Sequence, residues 1–563
     1  MTNVELARLA EDYFAERMRA NPFEATLFGV PGYDDQVPDP TREADQARIL
    51  TLDSLARRLD EIPTEGLTED ERITRSMLAT AIADDRDRLV HALREVSVSG
   101  GPMGIFSDVL ATVPLVTIDS RDDASAYLSR LRRLGDYLDA VVQRHRQAVA
   151  DGRTPTAIGV RQALDQLDAY LDAAARDPFL RPGPPPGVDP HDWRTTVGKL
   201  LEDQVHPAVR RYRDGLAELL AHGRDDSRVG VCHVPGGIDG YAAAVRAYTT
   251  TDSTPETLHQ LGLDLVIELR AEFAELGGRV LGENAAKEVL WRLREDPTLR
   301  CQSSEEIVEL VTTALRRAEA ALPDWFHSYP TAPCEVREMH VSEAKGGVLG
   351  YYQPPGRGRP GAHVVNTYRP EIRPRFEYQA LAFHESVPGH HTQIAVAQTL
   401  TDLPDFRRYG YVTVHGEGWG LYAERLADEM GLYSDDLSRM GMVSFDAWRA
   451  CRLVVDTGMH HLGWSRGQAI TFMRDNTALS EANIVNEVDR YIAEPGQALA
   501  YMTGRIRIRQ LRERAAAALG PDFDIRDFHH QVIGHGPLPL STLDEVIGRW
   551  VTDRLTGREP RTA

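Results

Sequence analysis

The sequence predicts a mainly α protein: a helical body in two halves, with a small β-hairpin or sheet near the candidate site. Three observations carry that expectation. Apolar residues recur at i, i+3 and i+4 through most of the chain, strand-like runs are confined to one stretch, and turn residues cluster in only a few places. In chain order, Leu6, Leu9, Ala10, Tyr13 and Phe14 give the first helix one apolar face. Tyr127, Leu128, Leu131, Leu134, Leu138 and Val142 repeat the pattern over four turns. The run Ser-Thr-Pro-Glu ending at Glu256 supplies a cap, a proline at the first helical position and an early carboxylate. Arg181 to Pro190 is too rich in proline and glycine to be helix, and Val229 to Gly240 is expected to be irregular. The β signal lies between Cys334 and Thr367. There Val348 to Tyr352 and Ala362 to Asn366 read as short strands, joined by a turn-forming segment from Pro354 to Pro360. From Arg375 to about Arg514 the helical pattern returns. The expected organisation is a helical half over 1–330 and a second half over 331–563, together one continuous unit.

Composition excludes several functions. With 64 Lys+Arg against 85 Asp+Glu, the net charge is −21, and this field opposes nucleic acid and anionic membranes as partners. No apolar run of about 18 residues is present, so no transmembrane helix is expected. Met1 to Met18 is broken by Glu5, Arg8, Glu11 and Asp12 and lacks the apolar stretch of a secretory signal. Cys232, Cys301, Cys334 and Cys451 are isolated from one another and suggest reduced thiols. Cytoplasm is therefore the expected location.

The densest set of potential metal ligands is Phe-His-Glu-Ser-Val-Pro-Gly-His-His-Thr-Gln at 383–393. In the zinc motif HExxH, residues i and i+4 lie about 40° apart and about 6 Å along a helix, so both imidazoles reach one ion. The adjacent glutamate acts as base on the water that the metal activates. Here Pro388 occupies the i+4 place after His384, and the next histidines are His390 at i+6 and His391 at i+7. On a regular helix, i+6 points about 240° away and i+7 sits roughly 10 Å further along. Either histidine needs an interrupted helix, and Pro388-Gly389 can interrupt it. A bulge of two residues would bring His390 to the second ligand position, with His391 the reserve. Downstream, Glu417 and Glu424 lie seven apart on one helical face. One can bind a metal while the other orients a ligand from behind. Two histidines, a glutamate and a water are the open set expected of a catalytic zinc.

HESVPGHH, EGWGLYAE (417–424), RLVVDTGMHHLGW (452–464) and YIAEPGQALAYMTG (491–504) together resemble a bacterial family catalogued as a domain of unknown function, number 885. The resemblance runs over about the last 230 residues. That family is similar to helical zinc peptidases such as thimet oligopeptidase, carboxypeptidase Taq and angiotensin-converting enzyme. In the first two, the third ligand opens a Glu-x6-Glu pattern like Glu417 and Glu424, and dipeptidyl peptidase III tolerates an extra residue between its histidines. The resemblance implies one Zn2+ per chain on His384, His390 and Glu417, with Glu385 as general base and His391 or Glu424 in reserve or behind the ligands. It further implies a metallopeptidase-like body with a groove between helical halves and a catalytic half at 331–563. The expected activity is hydrolysis of peptide or amide bonds in short peptides or small amides.

Tyr491, Tyr501 and His460 are candidates to steady an oxyanion. Arg452, Asp456 and His460 share a helix face, so Arg452 can clamp a substrate carboxylate or simply pair along the helix. Arg490 beside Tyr491 has the same two readings. The strand at Val364 to Asn366 could pair with an extended substrate backbone. Gly463-Trp-Ser465-Arg-Gly467 matches the serine-hydrolase elbow, but its preceding residues read as helix where the mechanism needs a strand. The loop Gly356 to Gly361 lacks the Lys-Ser/Thr of a phosphate loop and reads as a hairpin tip. Two rival functions remain: hydrolysis of a non-peptide biosynthetic amide, and a non-catalytic binding protein on a peptidase-like fold.

Overall fold

The computed structural model describes residues 3–557 apart from 102–103, 174–175, 328, 330–332, 341–343, 345–347 and 356–358. Gly356 to Gly358, in the expected hairpin tip, therefore lie outside the described residues. The fold is mainly α, with one sheet of three short strands among the described residues. The chain divides into two compact units. The first comprises 1–244, 459–468 and 488–495, and the second 245–458, 469–487 and 496–563.

In the first unit, the helix Val4–Ala20 buries Leu6, Leu9, Ala10, Tyr13 and Phe14, the apolar face read from the sequence. Helix Arg121–Ala150 starts at a Ser120 cap and buries Tyr127, Leu131, Leu134, Leu138 and Val142. These meet Val160 and Leu167 from Ala157–Asp172 and Val209 and Leu216 from His206–Leu219 in one core. The proline-rich segment stays irregular until Asp189 caps Pro190–Leu200. The expected irregular zone at 229–240 is only partly so, because a helix already begins at Gly237. Gly240 fits there because a Cβ would come within 2.8 Å of the Leu93 side chain.

In the second unit, Thr254 accepts from the Thr257 amide and Pro255 opens the helix Pro255–Val280, as its sequence predicts. The strands are β1 (Glu335–Glu338), β2 (Gly350–Gln353) and β3 (Ala362–Val365), in the order β1-β3-β2. β2 and β3 form the expected antiparallel pair, with Tyr352 opposite His363. β1 adds a parallel strand on the far side of β3. The expectation that the strand at Val364 to Asn366 is open to a substrate backbone is therefore corrected: β3 is paired on both sides and buried throughout, and β1 and β2 are the edges.

Helix Tyr378–Glu385 packs against Ser304–Trp325, β2 and Thr413–Glu429. Thr413–Glu429 lies along Ala500–Leu519. The approach is close because Gly418 faces Gly504, where a Cβ on Gly418 would fall 2.6 Å from the Gly504 carbonyl carbon. A cavity of about 620 Å³ opens beside these helices, and its described lining residues, between Val348 and Tyr501, belong to the second unit. Among the described residues, no helix is long and apolar enough to cross a membrane.

Candidate metal centre

The helix carrying His384 stops at Glu385, and a new one starts at His390. Between them the backbone leaves helical geometry at Ser386 and Gly389. The His391 amide bonds back to the Ser386 carbonyl at 3.0 Å, closing the turn. Ser386 Oγ stands 3.3 Å from His363 Nδ1 on β3, and the Trp419 indole donates to the Pro388 carbonyl at 3.0 Å. Gly389 is required by proximity. A Cβ there would lie 2.6 Å from the His384 carbonyl carbon and nearer still to the Phe383 and His384 carbonyl oxygens.

This turn brings His384 and His390 together, their rings 4.8 Å apart and nearly perpendicular. Glu417 faces both, with its Oε2 3.7 Å from His384 Nε2 and 3.6 Å from His390 Nε2. One potential donor atom from each of the three lies within 4.8 Å of the others. These gaps are long for hydrogen bonds. They approach the edge of roughly 3.3 Å expected between ligands bonded tetrahedrally at about 2.0–2.1 Å. Two imidazoles and a carboxylate that line a cavity are a donor set that would fit zinc in an open, catalytic type of site.

Behind the triad, His384 Nδ1 donates to Glu424 Oε1 at 2.7 Å, and Glu424 is fully buried. That bond fixes which ring nitrogen faces Glu417. The His384 ring lies over Gly420, where a Cβ would clash at 2.7 Å. Burial disfavours charge on His384, but the facing Glu417 carboxylate and the hydrogen bond to Glu424 win and raise its pKa to about 9. Burial also opposes ionisation of Glu417, yet His384 and His390 hold its carboxylate well below the usual range. Burial pushes the Glu424 carboxyl up.

Glu385 lines the cavity beside the triad, and its Oε2 accepts the Tyr352 amide of β2 at 2.9 Å. His391 turns elsewhere: its Nδ1 is 2.9 Å from the Tyr352 hydroxyl. Tyr501 lines the cavity with its ring 4.2 Å from the Arg452 guanidinium. Arg452 also lines it and donates to Glu487 at 2.9 Å, while Asp456 accepts the Gly496 amide at 3.1 Å. Tyr491, His460 and Arg490 belong to the first unit and are not among the lining residues. His460 is buried between the Val231 amide and the Tyr491 carbonyl, and the Arg490 guanidinium lies 5.1 Å from the Tyr491 ring. Ser465 is the cap of helix Arg466–Asn476, accepting the Gln468 amide at 3.2 Å, and the long helix Asp436–His460 precedes it. The strand that a nucleophile elbow needs is therefore replaced by helix.

Sequence reasoning missed several cavity residues with chemistry, Tyr411, Arg449 and Glu487 among them. Tyr411 donates to Glu417 Oε1 at 3.2 Å, and Arg449 lies one helical turn before Arg452. Tyr411 sits in an irregular connection with no periodic signal. Arg449 could have been found, because Phe445, Trp448, Arg449 and Arg452 share one face by helical spacing.

A family model described as "Bacterial protein of unknown function (DUF885)" matches residues 22–547. No curated protein matches the chain significantly. Solved structures share its fold. A "putative lipoprotein" from Colwellia psychrerythraea is 24% identical with a TM-score of 0.89, covering 97% of this chain and 99% of its own. A "putative lipoprotein of unknown function" from Shewanella oneidensis is 17% identical with a TM-score of 0.75, covering 96% and 99%. At these identities the likeness carries the fold alone.

Proposed function

The chain belongs to the DUF885 family of bacterial proteins of unknown function, and we propose that it is a zinc-dependent hydrolase of peptide or amide bonds acting on short substrates. The observation that carries this reading is the convergence of His384, His390 and Glu417 beside Glu385 in one cavity. A zinc ion held by the triad would polarise a scissile carbonyl and acidify a water. Glu385 takes the proton from the attacking water and returns it to the leaving amine. The Tyr352 amide holds that carboxylate in place. Glu424 keeps the His384 ring in one orientation and tautomer. Tyr501 borders the same space and offers a hydroxyl for a developing oxyanion, while the Tyr411 hydroxyl is given to Glu417. A cavity of about 620 Å³ suits a short peptide or small amide.

The test is elemental analysis of the purified chain before and after chelation, followed by a screen of short peptides and amides. About one zinc per chain, with turnover lost but metal kept in Glu385→Gln, is the expected result. A chain that holds no zinc even when it is offered at neutral pH would overturn the proposal.

A further inference from the structure

Helix Asp436–His460 turns Phe445, Trp448, Arg449 and Arg452 towards the cavity that holds the triad. Both arginines are buried, at 4% and 3% exposure. The Arg449 guanidinium lies 4.5 Å from the Phe445 ring and 4.2 Å from Trp448. The Arg452 guanidinium lies 4.4 Å from Trp448 and 4.2 Å from Tyr501. Trp448 thus carries both cations, and aromatic faces hold each in place.

The two differ in what their N–H groups meet. Arg452 is engaged by Glu487. Arg449 Nε and Nη1 are buried with no hydrogen-bond partner among the described residues. Glu377 and Glu424 feel its charge. Stacking satisfies the faces of a guanidinium but leaves its N–H edge unmet, and a buried donor without an acceptor is costly. The matching ligand is a planar anion with two oxygens. Glu385, Glu417 and Glu487 line the same cavity, which disfavours a doubly charged group and selects a monoanion.

We propose that Arg449, held beside Arg452 on the Trp448 ring, receives a carboxylate of the substrate. Resting on the hydrolase reading, this narrows the substrates to short peptides or amides that carry a free acid. The acid can be the terminal α-carboxylate or an acidic side chain, and the experiment separates the two.

Three probes are titrated calorimetrically into the full chain after chelation: N-acetyl-Ala-Phe, its C-terminal amide, and N-acetyl-Ala-Glu amide. Chelation removes any metal that could itself bind a carboxylate. At least one acid should bind about 10–100-fold more tightly than the plain amide. Preference for the first acid identifies the α-carboxylate, and preference for the third probe identifies the side chain. Arg449→Gln should shrink the preference to about twofold or less and leave amide binding in place. Equal binding of all three probes overturns the proposal, and so does no binding at millimolar concentration or a preference that survives Arg449→Gln. The wild-type comparison decides even where the variant folds poorly. A clear preference without turnover in zinc-loaded protein would sink the hydrolase and leave the carboxylate site standing. Turnover of acid and amide with equal KM would do the reverse.

Discussion

Gly389→Ala tests whether the two-residue turn between the histidines builds the site. A Cβ at this position would lie 2.6 Å from the His384 carbonyl carbon, where ordinary contact begins at 3.4 Å. The difference, 3.4 − 2.6, means that at least 0.8 Å of movement is needed. The obstructing atoms are backbone of the helix that bears His384, so no flexible side chain can give way. Strain of this kind costs about 1–3 kcal/mol, and rigid backbone on the far side places it towards the upper end. His390 is the next residue and must follow the displacement, whereas metal–ligand bonds tolerate about 0.2 Å. Zinc affinity should therefore fall by more than the roughly 10–100-fold that follows loss of an outer hydrogen bond. Competition with a chelator of known affinity, read by a zinc indicator, measures this directly. Gly548→Ala is the control. It sits within helix Leu540–Thr556 with open space around its Cβ, so it should keep wild-type affinity and gain about 0.5–1 kcal/mol of stability. Zinc affinity in Gly389→Ala within twofold of that control would refute the reasoning.

Other perturbations address the neighbouring groups. Glu424→Gln leaves an acceptor for His384 Nδ1 but removes the charge, so zinc affinity should drop about tenfold in the same competition assay; no change would mean that the carboxylate does not tune the ring. The His384 pKa, raised from 6.5 to about 9, contributes stability to chelated protein that is complete below 6.5 and lost as pH climbs through 9. The same proton competes with metal, so zinc affinity should rise by up to about tenfold per pH unit across that interval, and a flat profile would contradict the assignment. Ser465→Ala should cost about 1 kcal/mol of helix capping in a melting experiment and leave turnover intact. A folded but inactive Ser465→Ala would bring back the serine mechanism.

Local patterns made much of the second unit legible. The Thr254 cap and the β2–β3 pair depend on neighbours a few residues away, and the sequence displays them. The placement of His390 could be anticipated because Pro388-Gly389 cannot continue a helix, and two inserted residues return the chain to register. Non-local partners stayed hidden. β1 pairs with β3 across 27 positions, as Glu335 opposite Ala362 shows, and parallel pairing carries no turn signal. That His391 turns to the Tyr352 hydroxyl on β2 while His390 faces Glu417 depends on partners distant in the chain. His460 and Tyr491 drew attention as chemically able side chains. Their burial among helices of the first unit follows from tertiary packing that spacing cannot reveal.

The segment Gly416-Glu-Gly-Trp-Gly420 has a consequence for how the protein assembles. Three glycines in five positions weaken helix Thr413–Glu429 by about 1 kcal/mol each relative to alanine. In the folded chain each glycine is met by a different neighbour: the Tyr411 ring, the Gly504 backbone and the His384 imidazole. Cut out as a peptide, this stretch would be mostly coil, since short helices are marginal in water even with good helix formers. In the folded chain Tyr378–Glu385 and Ala500–Leu519 pack along it, and that packing supplies the stability that its own residues lack. The positions of Glu417 and Glu424 therefore depend on the layers packed around this helix. Formation of the centre is tied to completion of the fold around it, so a partly folded chain would present the histidines without the carboxylates that position them.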